Sequence, residues 1–351
     1  MNADVPLTLR SPGEIVALVP HLVGFQPAES LVAVSLRPPR KRVGLVLRVD
    51  LVDHPALVRQ VVDSLLRDGP ASSLLVVHTA EPSAPQHPWS GLVRAVEQGL
   101  VERGVGVEEA LLVRDGRWWS YRCAEACCPE SGTPLDPGSA VALQVAAAAA
   151  YEGRAVLPSR ADLVASVRPD LPLGAAPVER LQEQARRDLA ERRRSDASAT
   201  GRREVERWRA ALQAWRDRPV RPAAAETAAL VVALRSVAVR DEVASWGAQR
   251  DDALLGLLLQ VARSAVPPDD APVLGVLAWV AYARGDGALA LVAAERALAS
   301  EPGYSAATLL LEAIDRIVPA EQVRQVLRGT ARELRGRELR SGRRTRRRRA
   351  A

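Results

Sequence analysis

The chain has 351 residues, enough for two domains that each bury a core. Hydrophobic residues make up 48% and charged residues 26%, a globular balance. The formal charge of +6 is concentrated at one end: residues 335–351, RGRELRSGRRTRRRRAA, hold nine Arg and one Glu, so the body of the chain is close to neutral and a broadly basic nucleic-acid-binding surface is excluded.

Residue usage is skewed. There is one Lys (Lys41), one Asn (Asn2) and one Phe (Phe25), against abundant Ala, Arg, Val and Leu. Arg replaces Lys throughout, so an Arg-only tail says less about phosphate recognition than it would elsewhere. The opening MNADVPLTLRSPGE lacks a basic start followed by an apolar core, and the longest apolar run, VLGVLAWVAYA at 273–283, is too short to span a bilayer. The expectation is a cytoplasmic chain with no membrane partner, where thiols stay reduced.

In chain order, Ser11 and Pro12 open a short helix over 11–19. SLVAVSLR (30–37) and VGLVLRVDL (43–51) read as strands joined by PPRKR. A helix over 55–68 with Asp53 as its cap, a strand over 72–79, a helix over 89–103 and a strand over 108–113 follow. This alternation predicts βαβ units. VRDGRWWSY adds an Asp-Gly hairpin, which makes the sheet mixed, and an Ala-rich helix over 139–151 closes the domain.

The fold class expected is therefore α/β, a mixed, mainly parallel sheet flanked by helices, followed by an all-α helical-repeat domain. Its parts are an α/β domain over 1–152, a charged helical connector over 153–222, a helical domain over 223–335 and a disordered Arg-rich tail over 336–351. APVLGVLAWVAYARGDGALALVAAERALASEP (271–302) resembles a tetratricopeptide repeat: Ala278, Ala290 and Ala297 occupy close-packing positions, Gly285 the turn and Pro302 the end.

LRSPGEIVALVPHLVGFQPAESLVAVSL, VGLVLRVDL, DGRWWSYRCAEACCPESGTPL and LAWVAYARGDGALALVAAERALASEPGYSAATLLLEAI occur in that order. Together they resemble the domain of unknown function 4192 family of high-GC Gram-positive bacteria, over about residues 7 to 318. The resemblance implies no activity.

There is no G-x-x-x-x-G-K-[ST] phosphate loop, no G-x-G-x-x-G after a strand, no G-x-S-x-G elbow and no H-E-x-x-H. Cys123, Cys127 and Cys128 fall within one loop. A reduced packing cluster is the leading reading; the alternatives are a zinc site, with His78, His87 or water as a fourth ligand, and a redox thiol. Ligands of open α/β sheets lie beyond the carboxyl ends of parallel strands. Those ends carry Arg48, Asp50, Asp53 and His54, then His78, Thr79 and Glu81, then Arg114 and Asp115. Asp50, His78 and Asp115 are the candidate catalytic residues. Arg48, Asp53, His54, Glu81, Arg114 and Trp118 are the candidate ligand-binding ones. Trp118 and Trp119 must point to opposite faces, one into the core. Ser30 could serve as a nucleophile but has no identifiable base in the sequence, so it reads as a turn or cap residue, and Phe25 reads as a core plug.

The leading reading is a binding or regulatory protein, with an α/β ligand-binding or sensor domain and a helical domain that docks a protein partner. The rival is a metal-assisted hydrolase or transferase. The Arg tail offers nonspecific, salt-dependent contact with nucleic acid, without residues for specific readout.

Overall fold

The computed structural model describes residues 11–82, 87–123, 128–151, 156–172 and 174–349, with backbone only at 141, 148–151 and 335–349. The chain divides into two compact units, residues 1–162 and 163–351.

The first unit opens with α1 (Pro12–Val23), capped by the Ser11 hydroxyl, which accepts from the Glu14 amide, and ended by Gly24 in the left-handed region. There follow β1 (Ser30–Arg37), β2 (Arg42–Asp50), α2 (Pro55–Arg67), β3 (Ser72–His78), α3 (Ser90–Val101), β4 (Gly106–Arg114), β5 (Arg117–Ser120), β6 (Thr133–Pro134), α4 (Ala140–Tyr151) and α5 (Arg160–Ser166), the last running across the boundary. The six strands form one sheet in the order β2-β1-β3-β4-β5-β6. The sheet is mixed, but β3–β4 is its one parallel pair among the described residues, so the expected parallel majority gives way. The reason is the short connection after β1. It turns the chain straight back, so β1 lies antiparallel between β2 and β3, and β2, β3 and β4 still share one direction.

β1 is apolar on both faces because both are covered. Leu31 and Ala33 join Val61, Leu65, Val93 and Val96 of α2 and α3 in one core, while the alternate residues Val32 and Val34 face the α1 side. Phe25 is buried as expected, and the chain around it pairs with Leu157 through backbone bonds of 2.9 Å. A polar clamp ties the hairpin to α2. The Asp68 carboxylate accepts from the Arg37 guanidinium, the Ser35 hydroxyl and the Leu45 amide, the last at 2.8 Å. Burial alone would raise the Asp68 pKa, but these donors outweigh it and hold the group below the ordinary carboxylate value.

The second unit is helical: α6 (Ala175–Ser195), α7 (Ala197–Asp217), α8 (Ala224–Ala233), α9 (Val237–Trp246), a 3-10 turn (Gly247–Gln249), α10 (Asp252–Ala262), α11 (Asp270–Arg284), α12 (Gly287–Ser300), α13 (Ser305–Asp315) and α14 (Ala320–Arg349). α11 is apolar around most of its circumference and is the buried axis of the unit. It pairs with α12 through Ala278, Ala290 and Ala297, all fully buried, with Gly285 in the turn. The tetratricopeptide expectation reduces to this one helix pair.

Two other expectations differ from the structure. Residues expected to form a connector are part of the helical body: Trp208 of α7 is fully buried and donates its indole N–H to the Leu230 carbonyl of α8 at 3.1 Å. The backbone also stays helical through Arg349, where a disordered tail is expected from 336. Arg is a good helix former, and no proline follows Pro319. Among the described residues no helix is long and apolar enough to cross a membrane.

Candidate functional site

Because β2, β3 and β4 run together, their carboxyl ends meet one edge of the sheet, where Asp50, Ser30, His78 and Val113 lie in ladder register. Side chains alternate, so this edge has two faces.

On the α1 face, Ser30 stands between Asp50 and His78. Ser30 is 0% exposed and His78 7%, and neither Ser30 Oγ nor His78 Nε2 has a hydrogen-bond partner among the described residues. Burial pushes the His78 pKa down to about 4, so the imidazole is neutral at pH 7. Arg48 donates to Asp50 and, at 3.2 Å, to the Ala28 carbonyl. Asp50 itself is largely solvated, its side chain 76% exposed. The structure thus brings Asp50, His78 and Asp115 to one edge but not into one constellation. Asp50 is two strands from His78, about 10 Å at the backbone, and Asp115 projects from the hairpin turn, its side chain 82% exposed.

The opposite face of the same edge is richer. The Arg114 guanidinium lies over the Trp119 ring, 4.8 Å from its centroid, and donates to the Glu81 carbonyl at 2.6 Å. His87 approaches Trp119 at 6.3 Å and meets Tyr121 edge-on at 5.8 Å between ring centroids. Burial and the Arg114 charge both lower the His87 pKa, while burial and then the Glu81 charge raise that of Tyr121, leaving both rings neutral at pH 7. Tyr121 donates its hydroxyl to the Pro88 carbonyl at 2.6 Å. The cluster borders the start of α3. Its N-cap, Trp89, sits in the left-handed region, makes no side-chain cap, and keeps a buried indole N–H without a partner among the described residues. Glu29 closes the edge from the β1 side, accepting from Thr79 Oγ1 at 2.8 Å and the Ala80 amide at 2.6 Å.

The remaining candidates disperse. His54, not Asp53, caps α2: its Nδ1 accepts from the Ala56 amide at 3.1 Å, and Asp53 stays exposed in the preceding loop. Trp118 lies on the α1 face against Gly13, whereas Trp119 is the buried member of the pair. Cys123 and Cys128 are half-buried, and Cys127 lies outside the described residues. No three His, Cys, Asp or Glu side chains gather as a metal centre would require among the described residues. The chain after Cys128 is stapled to the hairpin: Arg117 donates to the Ser131 and Gly132 carbonyls at 2.7 and 3.0 Å, and the Trp119 indole N–H to Glu130 at 2.9 Å. Gly132, at φ +74°, lies flat against Trp119, where a Cβ would come within 2.4 Å of the ring.

Sequence reasoning reached Arg114 and Glu81, and His87 as a candidate zinc ligand, but missed Tyr121 and took Trp118 rather than Trp119 as the ligand-binding member of the pair. The signal was in WWSY. Alternation puts Trp119 and Tyr121 on one face, and the register Leu112↔Trp119 assigns that face to the α2–α3 core side.

A mixed sheet with one β3-α3-β4 crossover, an aromatic–guanidinium cluster at that crossover's carboxyl edge and a separate helical unit define the class of this protein: two-unit, α/β followed by all-α. The chain matches the family described as "Domain of unknown function (DUF4192)" over residues 12–321 and belongs to that family. No curated protein matches it, and no solved structure does.

Proposed function

We propose that the protein is a binding protein whose α/β unit holds a small anionic ligand with a planar part at the β3–β4 edge. The observation that carries this is the Arg114 guanidinium over Trp119 beside the start of α3, where Trp89 supplies no cap. A fixed cation and a helix N-terminus favour an anionic group, and the Trp119, Tyr121 and His87 rings suit a planar one. Open α/β sheets take ligands beyond the carboxyl ends of their parallel strands, the edge at which this cluster lies. The complete burial of Ser30 favours binding over catalysis, since a nucleophile there has no access to substrate. The helical unit is read as the part that docks a protein partner, a role its buried axis and helix pairs suit.

The test is a titration with the four common nucleoside 5′-monophosphates and with inorganic phosphate, read by tryptophan fluorescence. At least one monophosphate binds below 1 mM, and Arg114→Met weakens it by about 10-fold or more, the scale of one charge-assisted hydrogen bond. Flat titrations throughout, or an Arg114→Met variant that binds as well as the wild type, overturn the reading.

A further inference from the structure

The last helix carries a charge that its own residues do not balance. α14 is anchored at its start: Val323 and Leu327 are buried, and the helix packs against α9, α11 and the 3-10 turn. Its backbone then stays helical to Arg349, about 33 Å beyond Leu327. We infer that the segment from Arg335 to Arg349 is a binding arm for double-stranded DNA, which it holds through the phosphates without reading sequence.

Elsewhere in the helical unit, Arg residues have carboxylates within reach. Arg186 and Arg187 pair with Glu183, and Arg209 with Glu206 and Glu242. At the start of α14 itself, Arg324 and Arg328 both pair with Glu321. Residues 335–349, by contrast, hold nine Arg and a single carboxylate, Glu338. Arg is the ordinary cation of this chain, so its choice over Lys says little; the shortage of counter-charge says more. Like charges three and four residues apart destabilise a helix, and an external polyanion relieves that repulsion. The negative end of the helix dipole lies at the same terminus and favours cations there.

Helical spacing gives this charge a direction. Arg337, Arg340, Arg344 and Arg347 follow at i, i+3, i+7 and i+10, with Arg348 beside them, and so share one face. Glu338, Ser341 and Thr345 repeat the spacing one position later and fall on another face. The Arg stripe is about 16 Å long, a length over which duplex DNA presents about ten phosphate charges.

Composition selects among polyanions. An anionic membrane takes up a helix with a broad apolar face, and Leu339 is the one large apolar residue of the arm. Single strands are held by stacking on aromatic rings, and residues 335–349 contain none. A-form RNA has a deep, narrow major groove, whereas that of B-form DNA, about 12 Å wide, admits a helix of about 10–12 Å diameter.

Fluorescence anisotropy of the full chain with a DNA duplex of about 20 base pairs tests this. The single strand, an RNA duplex of the same sequence and vesicles containing phosphatidylserine serve as comparison ligands. The DNA duplex binds with a Kd of about 10 μM or below at about 50 mM salt, and duplexes of unrelated sequence bind equally. Affinity falls with salt at a log–log slope of about −4 to −5, the value for about five phosphate contacts. Replacing all five stripe residues (Arg337→Gln, Arg340→Gln, Arg344→Gln, Arg347→Gln, Arg348→Gln) weakens binding about 100-fold or more and flattens the slope. Gln is as good a helix former as Arg, so that variant melts at the wild-type temperature. The off-stripe triple Arg335→Gln, Arg346→Gln, Arg349→Gln weakens binding by less than about tenfold. Flat anisotropy with duplex DNA overturns the inference, and so does a stripe variant that binds as well as the wild type. Single strand, RNA duplex or vesicles bound as tightly as the DNA duplex overturn it too, since the arm would then be a general polyanion or membrane contact.

Discussion

The two units place polar groups by different physical means. In the α/β unit, strand register does it: Ser30 becomes the neighbour of both Asp50 and His78 because β1 is inserted between β2 and β3. In the helical unit, helix ends do it: α9 and α13 begin at one cleft, and Arg235 and Arg240 arrive from the same turn region. Register is specified by which faces are buried, so a polar residue at a strand end is carried to its place by the apolar residues behind it. A helix start carries its own unpaired amides wherever it lands. The contrast teaches that a polar group inside the sheet is a stability problem first, whereas one at a helix start is an electrostatic opportunity.

The largest effect that would sharpen this comparison is in the helical unit. Trp208→Ala removes a fully buried indole and its bond to Leu230, at a cost of about 4 kcal/mol. Peptide-resolved hydrogen exchange should show protection lost in α6 to α10 and kept in β1 to β4. Equal loss in both units would show that they do not respond separately.

Next comes His78. Its folded pKa, about 4, lies below the unfolded value near 6.5, so between these pH values the unfolded chain binds more protons than the folded one. Stability contributed by the neutral imidazole is present above pH 6.5 and falls as the pH drops toward 4, by up to about 3 kcal/mol. Urea denaturation from pH 7 to 4 should show this loss in the wild type and a shallower one in His78→Leu. Matching slopes would count against it.

Asp68→Ala should cost about 2 kcal/mol at pH 7, a figure kept modest because Arg37 is partly solvated. The Asp68 pKa is lowered by folding, so its contribution is present above the unfolded carboxylate value and is lost as the pH falls through the folded one. The wild-type and Asp68→Ala denaturation midpoints should therefore draw together as the pH falls below the ordinary carboxylate range. The smallest effect is Asp115→Asn. Asp115 and Gly116 both have positive φ in the hairpin turn, and Asn tolerates that region better, so thermal melting should show a gain of about 0.3 kcal/mol.

Much of the α/β unit was legible because its strands are short apolar runs bounded by turn residues, and Asp115-Gly116 announced the hairpin without ambiguity. α6 and α7 were not. Their Arg and Glu residues outnumber a thin apolar stripe of Leu189, Trp208 and Leu212, so a packed pair of helices read as a solvated connector. The cap of α2 was misplaced by one residue, because His54 uses an imidazole nitrogen where Asp53 offered the commoner carboxylate.

Local chemistry by itself determined where the elements lie: the Ser11-Pro12 start, the strand runs, the Asp-Gly turn, and the Ala-lined α11–α12 pair with Gly285 between them. These depend on neighbours a few residues away, and a linear reading captures them. Only the tertiary structure decided that β1 enters antiparallel, that Trp119 rather than Trp118 carries the guanidinium, and that Tyr304 meets Arg240 and Glu301. Each of those depends on which face of one element is buried against another, and that choice is made by the packing of the whole core rather than by any local run of residues.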